Sequence, residues 1–148
     1  MRHAVLLLAV LTAFSAGCGE SGERSSGDRE PKATPLSADQ RAAGDVALKY
    51  LRAVRDKDWD AVCATRTAQE RREMARFAGS CPKAMRAVFE GKPTSLFEGL
   101  RVTDVRIRGD LAGVDLVHPG QSKPALTLAA RREAGRWLLD DVPDKKVP

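Results

Sequence analysis

The sequence predicts an α+β fold, with helices first and a curved antiparallel sheet of about four strands after them. Three observations carry this. Apolar residues recur at a spacing near four from Leu36 to Phe89, and the spacing changes to two from Leu100 onward. Short Gly, Pro and Asp clusters then divide the second half into four strand-length segments. Helical runs followed by strands, without β-α alternation, give segregated layers with helices on one sheet face.

Taken in order, Ser37 and Gln40 form a capping-box pair that starts the first helix. Ala43, Val46, Ala47, Tyr50 and Val54 make its inner stripe, with Arg41, Asp45, Lys49, Arg52 and Asp56 on the solvated face. Asp58 and Asp60 flank Trp59 as caps of a short second helix carrying Val62 and Cys63. Thr67 and Glu70 repeat the capping box, and Met74, Phe77 and Ala78 form a third stripe that Gly79 stops. Pro82 suits the first turn of a fourth helix, with Met85, Val88 and Phe89 inward and Gly91 past its end.

In the second half, Val105 and Ile107 alternate with Arg106 and Arg108, while Leu100 and Val102 sit one step out of phase. A bulge near Thr103–Asp104 resolves the mismatch. Gly109-Asp110 turns the chain into a strand from Leu111 to Val117, which leaves through His118-Pro119-Gly120. Ala125 to Arg132 is the third strand, Ala134-Gly135 a turn, and Arg136 to Val142 the fourth.

The N-terminal residues read differently. Arg2 precedes a 13-residue uncharged run, Ala4 to Ala16, too short to span a bilayer core of roughly 20 residues. A charged start, a short apolar stretch and a small-residue exit describe an export signal. Ser15-Ala16-Gly17-Cys18 resembles the lipobox of bacterial lipoproteins, departing from it only in Ser15, where an aliphatic residue is usual. The resemblance implies a diacylglyceryl group on Cys18 as the mature N-terminus and an address on the outer face of the cell membrane. Residues 19–35 contain no apolar residue larger than alanine and are expected to form a disordered tether. The expected organisation is therefore a signal over 1–17, lipidated Cys18 and linker over 18–35, and the α+β domain over 36–148.

If Cys18 is acylated, Cys63 and Cys81 remain, and in an oxidising compartment they can close one disulfide. The alternative is a pair of buried thiols. Two cysteines at this spacing lack the further ligands of a zinc site, so no metal and no cofactor is expected. The net charge of +5 falls entirely in 36–148, consistent with attraction to anionic headgroups or acidic wall polymer. Arginine outnumbers lysine 17 to 8 and alanine reaches 22, a composition that a GC-rich genome also produces.

Several residues together point to a known fold. Lys57-Asp58-Trp59-Asp60 after the opening helix, the Cys63 and Cys81 pair, the Gly109-Asp110 turn and the closing Gly135-Arg136-Trp137-Leu138-Leu139-Asp140 look like small secreted members of the nuclear-transport-factor-two-like superfamily. The likeness covers roughly 36–142. It implies a cone of helices on a curved sheet, able to enclose a pocket, with no single activity attached to it.

Enzymes on such a cone carry an Asp or an Asp–His pair in the pocket. The candidate cone-mouth polar groups here are His118, Asp140 and Asp141. Alternation places His118 with Ala112, Val114 and Leu116, but its position before Pro119-Gly120 favours an exposed turn. Asp140 and Asp141 end the last strand on opposite faces, near Arg131, Arg132 and Arg136, which favours ion pairing. No residue is assigned as catalytic, and no nucleotide-binding or hydrolase motif is present. Arginines without interleaved aromatics argue against nucleic acid. What remains is a membrane-anchored binding or accessory module for an acidic protein, wall polymer or small apolar ligand. The alternative is a small isomerase or dehydratase-type enzyme using a pocket aspartate.

Overall fold

The computed structural model describes residues 35–141 and residue 148. The signal, Cys18 and nearly all of the linker lie outside the described residues. Four helices precede a four-stranded antiparallel meander of order β1-β2-β3-β4, so the α+β arrangement holds.

Helix α1, Ala38–Arg55, begins at Ser37, whose side chain accepts from Gln40 N–H while the Gln40 side chain accepts from Ser37 N–H. Its buried stripe, Ala43, Ala47, Tyr50, Leu51 and Val54, packs on the sheet. Asp58 caps α2, Trp59–Ala64, by accepting from Ala61 N–H. Asp60 stands in the first turn of α2 rather than capping it, where its charge complements the helix dipole. Helix α3, Ala68–Ala78, ends at Gly79, whose φ of 81° is the left-handed cap that glycine adopts without strain. Helix α4, Cys81–Phe89, has Ser80 as its N-cap and Pro82 in its first turn. A short 3₁₀ turn at Thr94–Phe97, not anticipated from the sequence, leads into the sheet; its Phe97 stands edge-on to Phe89, which stacks on Trp59.

Strand β1, Arg101–Arg108, pairs with β2, Leu111–Val117, with the expected register shift between Val102 and Asp104. The hairpin turn has positive φ at Gly109 and not at Asp110, the pattern of a type II′ turn. Strand β3 runs Leu126–Glu133, one residue later than the sequence reading, and β4 is Arg136–Leu139. The strand ends at Leu139, short of the expected Val142, which lies outside the described residues; Asp140 keeps one bond to β3, and the other edge of Leu139 is taken by the link before α3. Leu139 N–H donates to Thr65 O (2.7 Å) and Thr67 N–H donates to Leu139 O (3.0 Å). The Thr65–Thr67 link thus lies parallel to β4 as a one-bridge extension of the sheet, and it aims the start of α3 at the end of that strand.

The helix-facing side of the sheet supplies Val105, Ala112, Val114, Leu116, Ala130 and Leu139, packed against Val54 and Val62 into one core. These side chains occupy the space between α1 and the sheet. On the opposite side, Asp115 is buried and receives two hydrogen bonds from Arg106 (2.6 and 3.0 Å) and one from Thr127 Oγ1 (2.8 Å). The Arg106 hydrogen bonds hold its carboxyl below the ordinary value, against the opposing effect of burial.

Candidate functional site

The expected disulfide is present. Cys63 on α2 is bonded to Cys81 at the start of α4, 18 positions later, so neither is a free thiol. It fixes the N-terminus of α4 against α2, and Cys81 Sγ also lies 3.6 Å from Met74 Sδ on α3. The three helices are thereby brought together at the disulfide.

Between α3 and α4 opens a groove of about 450 Å³. Met74 and Phe77 of α3 form one wall, and Ala84, Met85, Ala87 and Val88 of α4 the other. Two of these residues were expected in the core and are not. Phe77 is 91% exposed and Val88 is 49% exposed. The α3 and α4 stripes face each other across open space at these positions, and no described element covers them. A second groove, between α1 and β4, is larger at about 540 Å³ but is edged by Asp45, Lys49, Arg52 and Arg136, charged and largely exposed side chains of both signs.

Among the described residues, the polar side chains lining the first groove are all carboxylates: Glu70, Glu73 and Asp141. Glu73 is exposed and accepts from Gln69 Nε2 (2.9 Å). Glu70 is only 5% exposed. The capping-box role expected of it is half realised: Thr67 Oγ1 accepts from Glu70 N–H (3.3 Å), but the Glu70 side chain does not return to Thr67. Arg66 draws it away. Arg66 Nη1 donates to Glu70 Oε2 (2.9 Å), Nη2 donates to the Tyr50 hydroxyl (3.2 Å), and the guanidinium lies over the Tyr50 ring at 4.8 Å. An ion pair outweighs a cap hydrogen bond here because both partners are withdrawn from water. Oε1 of Glu70 has no hydrogen-bond partner among the described residues.

Burial pushes the Glu70 carboxyl above its ordinary value, and the Asp140 carboxylate adds to that rise. The Arg66 guanidinium opposes it. So does the Asp141 backbone N–H, which faces the carboxylate without hydrogen-bonding Oε1.

The three polar groups singled out in the sequence are not brought together. His118 is half-buried in the turn after β2, where its carbonyl accepts from Gln121 N–H (3.1 Å). Asp140 accepts from Arg131 Nε (2.6 Å) and Thr67 Oγ1 (3.3 Å), the ion pairing its arginine neighbours implied. Asp140 N–H bonds to Ala129 O, and Ala129 pairs with Gly113. His118 therefore lies past the far end of β2, five positions beyond Gly113 and roughly 17 Å away at a strand's rise per residue. Asp141 is exposed at the groove's edge. Among the described residues no group of three His, Cys, Asp or Glu side chains is placed to hold a metal ion.

Sequence reasoning missed Glu70 and Arg66. Their only sequence signal is an Arg-Glu pair at i,i+4 straddling a helix start, with a tyrosine on the preceding apolar stripe. No protein-family model and no curated protein matches this chain.

Proposed function

We propose that this chain is an extracytoplasmic lipoprotein, held to the outer face of the membrane through Cys18, whose domain is a non-catalytic binding module. Its ligand seat is the groove between α3 and α4. One observation carries the seat: an apolar groove of ligand size, with Phe77 left exposed on its wall and a carboxylate oxygen left unpaired on its floor. Of the expected partners, the apolar walls favour the small apolar ligand over an acidic protein or wall polymer. The address rests on the Cys18 motif, and the helices-then-meander order agrees with the nuclear-transport-factor-two-like resemblance, which belongs to this proposal.

A second reading has a specific observation behind it. A carboxyl raised by burial at a groove is a common feature of active sites. It would move isomerase or dehydratase-type chemistry from a pocket aspartate onto Glu70. Binding is favoured because Ala84, Met85, Ala87 and Val88, which face Glu70 from α4, carry no proton-transferring group.

Titration with the neutral apolar dye Nile red tests the seat. Phe77→Ser should weaken binding roughly tenfold, which is about 1.4 kcal/mol. It should leave unfolding stability within about 0.5 kcal/mol, because an exposed side chain contributes little to folding. Equal dye binding by wild type and Phe77→Ser would place the ligand elsewhere. For the address, Cys18→Ser should release the protein from membrane fractions, since stable anchoring needs more than one acyl chain. Unchanged membrane fractionation would remove the lipid anchor.

A further inference from the structure

The groove's polar chemistry is one-sided. In a chain of net charge +5, the charged side chains lining it among the described residues are Glu70, Glu73 and Asp141, all acidic. Glu70 lines the groove while more than nine-tenths buried, and its Oε1, closed to solvent, has no partner among the described residues, while Oε2 is bound to Arg66. A buried acceptor without a donor is unfavourable, and a ligand that supplies the donor removes that cost. We propose that the ligand of this groove is a cationic amphiphile: an apolar body lying between Phe77 and Val88, with a protonated amine at the floor, toward which the Glu70 carboxylate turns so that Oε1 accepts from it.

This rests on the groove being the ligand seat and names what that seat selects. An anionic head would meet three carboxylates. A hydroxyl would satisfy Oε1 but leave the acidic lining uncompensated, whereas an ammonium does both through a charge-assisted hydrogen bond. Among the described residues, the charged and titratable groups around Glu70 are Arg66 and, beyond it, Tyr50, with Glu73, Asp140 and Asp141 on the acidic side; α4 lines the groove with none. Arg66 donates to Oε2 and Tyr50 and does not line the groove, so the described lining is acidic.

Calorimetric titration of the full chain near neutral pH with octylamine, octanol and octanoate separates the outcomes. Octylammonium should bind tighter than octanol by roughly tenfold or more, with octanoate weakest. Glu70→Gln should bring octylammonium down to the affinity of octanol, and comparison with this variant cancels any partitioning into lipid. Should Glu70→Gln fail to fold with Arg66 unpaired, Glu73→Lys provides the same test from an exposed position on the acidic lining: it should weaken octylammonium and spare octanol. If octanol binds as well as octylammonium, the cation preference is wrong and the groove stands as the seat. A preference that survives in the folded variants, or a ranking led by octanoate, also overturns it. If none of the three binds, the groove reading and this one fall together.

Discussion

Arg66 and Glu70 share one hydrogen bond where two are available: Nη1 donates to Oε2 at 2.9 Å, and Oε1 of the same carboxylate stays buried and unpaired. The Nη2 of the guanidinium is turned to the Tyr50 hydroxyl, the group lies over the Tyr50 ring, and its buried Nε has no partner either. The pair is therefore incompletely satisfied within the fold, at the floor of the groove.

That arrangement has a pH signature. The folded carboxyl of Glu70 lies above its ordinary 4.5, with burial as the main cause, so the folded state holds the proton more tightly than the unfolded one. Its contribution to stability is most favourable below the unfolded pKa and declines as pH rises toward the folded pKa. Asp115 and Asp39, both lowered from 3.8, act in the opposite sense: their contribution is present above 3.8 and lost as pH falls through their folded values. Urea unfolding of wild type and Glu70→Gln across this range should give a stability difference, wild type minus variant, that falls as pH rises from about 4.5. A difference that rises with pH in that window would show Glu70 to be stabilised as a charge.

Breaking the Cys63–Cys81 bond should cost about 2–5 kcal/mol in unfolding free energy, a large share of a small domain's stability. The double Cys→Ala chain should also bind groove ligands more weakly, because the bond fixes α4, one wall of the groove, against α2. Urea midpoints with and without reductant measure the first effect. Alkylation of the native, unreduced protein should label neither cysteine, and labelling of both would refute the pairing.

Gly44 is a position where the described fold carries a correctable weakness. It sits inside α1, buried over β1, and a Cβ built there would meet the two Val102 methyl carbons at 3.5 Å, an ordinary contact. Gly44→Ala should stabilise the domain by about 0.5–1 kcal/mol, through lost freedom of the unfolded chain and better helix propensity. The urea midpoint should rise with an unchanged slope. A lower midpoint would mean that Val102 is packed too tightly to accept the methyl.

How far the sequence alone reaches is clearest by comparing its two halves. The helix starts at Ser37 and Asp58, the stop at Gly79, the bulge beside Thr103 and the hairpin turn at Gly109 were all legible, because each depends on a side chain or a φ value within a few residues. The disulfide was legible once Cys18 was set apart, leaving two cysteines. The groove was not. A stripe such as Met74, Phe77 and Ala78 states that one helix face is apolar, and cannot say whether the same chain covers it. Phe77 and Val88 read as core for that reason, and the tertiary arrangement left them open. Glu70 shows the same division. Local pattern made it a capping residue, but its neighbour Arg66 is anchored by Tyr50, sixteen positions away on another helix, and that long-range contact decides where the carboxylate points. Sequence determined the elements and their order, which are set by short-range sterics and periodicity. Only the packing of α3 and α4 around one disulfide decided which apolar surface stays exposed and which buried charge lacks a full set of partners.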